Sequence, residues 1–296
     1  MSRFLGITGT LLLILMGAVY AVSEARLRDR FPVPREIVRA STDSVSVVRG
    51  RHLATAVAGC AGCHGPDLGG RDFIDAKPFG RWYAPNLTMG RGGAASRMSD
   101  GELEAAIRHG VRPDGHSVHI MPSEAYAALG DDDLASLLGY TRSLPPVDRE
   151  LPPPVVGPIA RVLLVTGRLP LQTAGQVAPD ASHPPKAPAR GPTAAYGRYL
   201  AEVGGCKTCH GPGLSGGPNP AGPPGGKPAA NLTPAGIGHY TEADFFRALR
   251  QGVRPGGLPI DPQQMPWETM RHMTDQELRA LWAYLRSVPA KPFGGR

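Results

Sequence analysis

Apolar residues run from Phe4 to Val22 without a charged interruption, 19 positions in all. That length is just enough to cross a bilayer as a helix. The run exceeds the usual apolar core of a signal peptide, so an uncleaved membrane anchor is expected, with a signal cleaved after Ala21 as the alternative. Beyond it the pattern changes. Leu103, Ala106 and Ile107 recur at spacings of three and four, as do Leu134, Leu137 and Leu138. Phe245, Phe246 and Leu249 do the same, followed by Leu278, Leu281, Trp282 and Leu285. These are the marks of helices with one buried face. Ser99-Asp100-Gly101-Glu102, Thr241-Glu242-Ala243-Asp244 and Thr274-Asp275-Gln276-Glu277 read as capping boxes or close variants at helix starts. Alternating apolar runs with hairpin turns do not stand out, so the pattern predicts an all-α fold.

The elements repeat. Gly50-Arg51-His52-Leu53 matches Gly197-Arg198-Tyr199-Leu200, and Asn86-Leu87-Thr88 matches Asn231-Leu232-Thr233. Gly110-Val111-Arg112-Pro113 matches Gly252-Val253-Arg254-Pro255, Met121-Pro122 matches Met265-Pro266, and Tyr140-Thr141-Arg142-Ser143 matches Tyr284-Leu285-Arg286-Ser287. The offset stays between 142 and 147, and the order is kept. Collinear matches of this kind predict two homologous domains. We place an anchor or signal segment with its tether at 1–44, one domain at 45–146, a linker at 147–192 and a second domain at 193–296. The linker carries Pro145-Pro146 at its edge, then Pro152-Pro153-Pro154 and Pro184-Pro185, which predicts an extended, semi-rigid connection. The apolar stretch Ile159–Leu171 inside it is placed against a domain or a partner, without a choice between them.

Composition adds two constraints. Gly and Pro together supply 71 of 296 residues (39 and 32), so the helices are separated by long loops. The net charge of +7 is spread without a Lys/Arg block, which argues against a nucleic-acid partner.

All four cysteines fall in two copies of Cys-x-x-Cys-His: Cys60, Cys63, His64 and Cys206, Cys209, His210. Two thiols at this spacing on a helical turn can add to the two vinyl groups of haem, and the adjoining His is then held beneath the iron. Chance would supply the pentapeptide about 0.002 times in a chain of this composition. A Cys-x-x-Cys redox pair would not need His in the next position twice. Structural zinc would need the two pairs together, and they lie 146 residues apart. The expected cofactors are two covalently bound haem c groups, whose attachment outside the bacterial cytoplasm outweighs the opposite lean of Arg26, Arg28 and Arg30 after the apolar run. Met121 and Met265 are the candidate sixth ligands because they share a place in the repeat and both precede Pro. His116, His119, Met89 and Met98 compete in the first unit, and His239, Met270, His272 and Met273 in the second.

On these residues each unit resembles the class I cytochrome c fold: a helix leading into Cys-x-x-Cys-His-Gly-Pro, a loop with Asn-Leu-Thr, a helix ending at Gly-Val-Arg-Pro, a Met-Pro loop and a last helix with Tyr-x-Arg-Ser. The tandem is similar to the cytochrome c subunits of membrane-bound alcohol and gluconate dehydrogenases. The resemblance implies axial ligation by His64 with Met121 and by His210 with Met265. It offers the carbonyls of Pro66 and Pro212 as acceptors of the ring N–H groups of His64 and His210, with plain turn residues after the motif as the alternative. It offers Arg112 and Arg254 as partners of the haem propionates, with solvated surface arginines as the alternative. Trp82, Tyr83, Tyr140, Trp282 and Tyr284 would pack on the macrocycle edge or in the helix core. The implied function is electron transfer from a dehydrogenase or quinol-oxidising donor to an oxidase or cytochrome acceptor. The protein would sit at the bacterial inner membrane with its haem domains in the periplasm, or be soluble there if the leader is cleaved. A di-haem peroxidase is the enzymatic alternative.

Overall fold

The computed structural model describes residues 2–33, 38–169, 171–177, 186–219 and 226–295, with only the backbone at 2–5. Helix α1 (Ser2–Leu27) contains the apolar run. There follow α2 (Ser44–His52), a π-helical turn (Leu53–Val57), α3 (Cys60–His64), β1 (Arg71–Ala76) and β2 (Gly80–Ala84). Then come α4 (Ala94–Arg97), α5 (Asp100–His109), α6 (Ser123–Tyr126) and α7 (Asp131–Ser143). A short β3 (Val155–Val156) and α8 (Pro158–Val165) connect to the second half. That half contains α9 (Ala194–Val203), α10 (Cys206–His210), α11 (Pro234–Ile237), α12 (Glu242–Gln251), α13 (Trp267–Met270) and α14 (Asp275–Ser287). The order α2, α3, α4, α5, α6, α7 is thus met again as α9 to α14.

The three capping boxes form as predicted, with Ser99, Thr241 and Thr274 each bonded reciprocally to the residue three positions on. The expected apolar faces are buried: Leu103, Leu134, Leu138, Leu249, Leu278 and Leu281 join one continuous core that runs through both halves. In each half the first helix crosses the last at a glycine. A Cβ on Gly50 would collide with the carbonyl oxygen of Ser136, and one on Gly197 with that of Ala280. The repeated Gly-Arg pair therefore marks a backbone contact that no larger residue permits.

The all-α expectation is corrected by a small sheet. β1 and β2 pair antiparallel, with a register irregularity between Asp72 and Ile74, and β3 adds to β2 through Gly80 and Arg81. β1 is almost wholly exposed and so has no apolar face to read. On β2 only Trp82 and Ala84 turn inward, too short an alternation to register as a strand. The fold is helix-rich rather than purely helical.

Residues 147–177 also depart from the expected extended linker, while Pro184-Pro185 lies outside the described residues. Val147 and Arg149 are bonded back to the first half, and Leu171, Thr173 and Ala174 are buried against it. The apolar stretch after Ile159 packs inward as Ala160, Leu164 and Leu171 around Trp82, joined by Leu27 from α1.

The halves meet through a buried polar network. Arg49 on α2 grips Asp133 with two bonds, 2.9 and 2.8 Å, and reaches Glu277 of the other half at 3.3 Å. Tyr196 and Tyr199 on α9 stand where Arg49 and His52 stand on α2. His52 meets Glu277 at 2.7 Å, and Tyr199 donates to Asp133 at 2.8 Å, so matched positions reach across in opposite directions. All three charged groups are nearly inaccessible (Arg49 7%, Asp133 0%, Glu277 3%), so each relies on the others for the solvation that burial removes.

Candidate functional site

Each Cys-x-x-Cys-His segment is a single helical turn. It is entered through a glycine in the left-handed region, Gly59 at φ 68°, ψ 23° and Gly205 at φ 68°, ψ 22°. Such a residue turns the chain sharply without steric cost only because it lacks a Cβ. The four thiols are free. After the turn the chain folds back by matched bonds: Gly70 N–H to the His64 carbonyl and Gly216 N–H to that of His210, both at 2.9 Å. Leu87 N–H donates to Leu68, and Leu232 N–H to Leu214, both at 2.8 Å.

These bonds set the imidazoles. His64 Nδ1 lies 2.7 Å from the carbonyl oxygen of Pro85, and His210 Nδ1 lies 2.7 Å from that of Ala230. A carbonyl only accepts, so Nδ1 carries the proton and Nε2 keeps its lone pair, the tautomer that metal ligation needs. Burial pushes both imidazole pKa values down, against the opposing effect of the carbonyl bond. The acceptors expected at Pro66 and Pro212 are therefore corrected to Pro85 and Ala230, which come from a loop about twenty residues downstream. The residue after each acceptor holds that loop. Asn86 Oδ1 accepts from the Thr88 N–H at 2.9 Å, and its Nδ2 donates to the Val147 carbonyl at 2.6 Å. Asn231 does the same with Thr233 at 2.9 Å and Lys291 at 2.8 Å. The Asn-Leu-Thr repeat is thus a clasp between the histidine's acceptor and the chain leaving the last helix. Sequence spacing gave no sign of it, because the partners lie about sixty residues on.

Met121 and Met265 occupy the same backbone turn. The Ser123 N–H donates to the Met121 carbonyl and the Trp267 N–H to that of Met265, both at 2.8 Å. Pro122 (φ −79°, ψ 61°) and Pro266 (φ −79°, ψ 55°) then start α6 and α13. Both methionines are half-buried against the core. Of the competitors, Met273 is core filler at 2% exposure and Met89 and His272 are exposed, whereas Met98 and Met270 are half-buried against the same core as Met121 and Met265 but lack the matched turn before Pro. The backbones of His116 and His119 are held in bridges to Arg30 and Gln172, and His239 stands edge-on to Tyr240.

Arg112 and Arg254 are both exposed, Arg112 beside Asp114 at 3.7 Å. Trp82 belongs to the α8 cluster, 5.0 Å from Phe79, and Trp282 stacks on Phe245 at 5.3 Å. Tyr140 and Tyr284 pack on the main core, and Tyr83 receives a bond from Arg81 at 3.4 Å. The sequence reading missed Arg71, which donates to the carbonyls of Cys63, at 3.0 Å, and Gly62 at the end of α3. It also missed the crossing of the halves. Thr269 of α13 lies over Gly59 and Gly62, within 3.3 and 3.6 Å of where Cβ atoms would stand, while Thr208 of α10 donates to Glu124 of α6 at 3.3 Å.

Two thiols one helical turn apart, a correctly protonated buried imidazole one residue later, and a thioether on a matched turn form a donor set that fits covalently attached haem. It does not fit structural zinc: among the described residues no three His, Cys, Asp or Glu side chains are grouped so that they could hold a metal ion.

Residues 194–289 match the cytochrome c family model, so a cytochrome c domain occupies most of the second half, and such a domain implies covalently bound haem c. The chain is similar to the fructose dehydrogenase cytochrome subunit of Gluconobacter japonicus, 30% identical over 286 residues, covering 89% of this chain and 57% of the relative. It is similar to the gluconate 2-dehydrogenase cytochrome c subunit of Pantoea cypripedii, 29% identical over 283 residues, covering 83% and 60%. A diheme cytochrome c-type protein of Cereibacter sphaeroides is 29% identical over 275 residues, covering 82% and 86%. The chain thus spans about three fifths of the length of the two dehydrogenase subunits.

Proposed function

We propose that this protein is a di-haem electron carrier built from two tandem cytochrome c domains, 45–146 and 193–296, that serves as the cytochrome partner of a membrane-associated dehydrogenase. Cys60 and Cys63 would hold one haem c and Cys206 and Cys209 the other. His64 with Met121 and His210 with Met265 would supply the axial positions. When bound, haem supplies a one-electron iron couple, and His/Met ligation places it at raised potential. The chain's own part is to keep each imidazole neutral and oriented through Pro85 and Ala230, and to exclude water by burial. The observation that carries the reading is the duplicated His–carbonyl–Asn–Thr clasp with a Met-Pro turn in each half. The named dehydrogenase relatives support a dehydrogenase donor; the acceptor would be an oxidase or another cytochrome.

The apolar helix α1 is read as an uncleaved anchor with the haem domains on the periplasmic side. Ser23 and Glu24 near its end receive bonds from Arg161 at 2.8 and 3.0 Å, which ties it to the body of the protein. Arg26 and Arg28 beside it are engaged with Leu164 and Glu24, which gives the basic flank a structural use independent of orientation.

Purification from membranes followed by mass measurement tests the reading. The expected result is a mass gain of two porphyrins, with the Met-to-iron charge-transfer band falling by half in Met121→Ala and in Met265→Ala. A single porphyrin, or an unchanged spectrum in both variants, would overturn it.

A further inference from the structure

The anchoring reading leaves the outward face of β3 and α8 unexplained. Val155 is 61% exposed, and Ile159 and Val162 are each 46% exposed, forming an apolar strip on a helix whose other face is buried. Its position follows from how α8 holds α1. Arg161 stacks over the Tyr20 ring at 4.7 Å and bonds Ser23 and Glu24. At the other end of α8, the Leu164 carbonyl accepts from Arg26 at 2.8 Å. The middle of α8 therefore faces Tyr20 to Glu24 and its end faces Arg26, so the helix runs away from the apolar run in the same direction as α1 and its first residues lie nearer the run. The charge-free run Phe4–Val22 has 19 residues, about 28 Å of helix against a hydrocarbon layer of about 30 Å, and it ends two residues after Tyr20. That places Tyr20 at the level where aromatic residues meet headgroups. Val155, Ile159 and Val162 lie on the half of the β3–α8 segment nearer that level, and the exposed cations Arg30 and Arg168 lie on the segments that leave α1 and α8, with Arg28 paired to Glu24.

Resting on the anchoring reading, we propose that the β3–α8 strip lies on the surface of the bilayer that α1 crosses, with Val155, Ile159 and Val162 immersed at the headgroup–acyl boundary of an anionic phospholipid leaflet. Two observations select lipid as the occupant: the packing of α8 on the apolar helix α1, and the exposed basic residues on the segments that leave the two helices, which suit anionic headgroups. The contact would hold the first half of the protein at a fixed height and orientation, so that α1 is a mast with a foot rather than a loose tether.

The test places the photo-crosslinking residue p-benzoylphenylalanine at Leu13, Val162 or Leu258 of the full chain. Each protein is reconstituted in vesicles of phosphatidylethanolamine and phosphatidylglycerol, and lipid adducts are measured by mass. Leu13 reports anchoring, and Leu258 is an exposed apolar control outside both helices. Adducts are expected at positions 13 and 162, several-fold above position 258. Adducts at 13 without excess at 162 would overturn the surface contact and leave the anchor standing, freeing the strip for a protein partner. Adducts at 162 alone would overturn the anchor and with it the placement of the strip argued from α1. Their absence at both positions would overturn both.

Discussion

Replacing Glu277 by Gln removes a charge from the contact between the halves with almost no change in shape. Its Oε1 faces Arg49 and the Tyr196 hydroxyl, each at 3.3 Å. Its Oε2 takes His52 at 2.7 Å, the Thr274 N–H at 2.9 Å and the Thr274 hydroxyl at 3.1 Å. Burial by itself would raise the carboxyl pKa. The His52 bond, the Thr274 N–H and the charges of His52 and Arg49 outweigh burial and hold it at about 2. The distance from the ordinary 4.5 to about 2 corresponds to about 3 kcal/mol of folding free energy. An amide has one accepting oxygen, so in either orientation its NH₂ faces donors that the carboxylate had satisfied. Glu277→Gln should therefore lose ~3 kcal/mol of stability at neutral pH, read by urea unfolding with far-UV circular dichroism. Because the folded-state pKa is depressed, the contribution is present above the ordinary carboxyl pKa and vanishes as pH falls through the folded value. The gap between wild type and variant should hold down to about pH 4.5 and close towards about pH 2. A neutral-pH gap below ~0.5 kcal/mol, the scale of an ordinary surface substitution, would refute the reasoning. So would a full gap that persists at pH 2.

Matched positions in the two halves give further tests. Arg108 is fully buried between Glu104 at 2.9 Å and Asp131 at 2.6 Å, whereas its counterpart Arg250 meets Asp275 on the surface. Arg108→Met should cost ~3–5 kcal/mol and Arg250→Met at most ~1 kcal/mol, compared by thermal unfolding. Gly50→Ala and Gly197→Ala should each block a helix crossing, and retention of wild-type stability in either would contradict the close approach at Ser136 and Ala280. Asn86→Ala should loosen the acceptor of His64 and lower the basicity of that imidazole. A redox titration would then show one midpoint potential rising while the other stays in place, and an equal shift of both would count against the clasp.

Much of the candidate site was legible because it is local. The thiols and imidazole of each motif are neighbours in sequence, and the capping boxes span four residues, so short-range geometry fixes them. The repeat then singled out Met121 and Met265 by shared context, a signal no single copy carries. The hairpin escaped because β1 buries neither face. The imidazole acceptors escaped because Pro85 and Ala230 have nothing in their side chains to advertise a carbonyl.

By itself the sequence determined the apolar first helix, the amphipathic helices with their caps, the order of the duplicated elements and the candidate haem-binding motifs, since each depends on periodicity or on near neighbours. Tertiary structure alone decided which carbonyl orients each histidine, that residues 147–177 fold back on the first half, and that Arg49, His52, Asp133 and Glu277 join the halves. The physical reason is separation along the chain. Glu277 lies 228 residues from Arg49, and the bond between them exists only because two helix crossings, each closed on a glycine, bring α2 and α14 to one buried place.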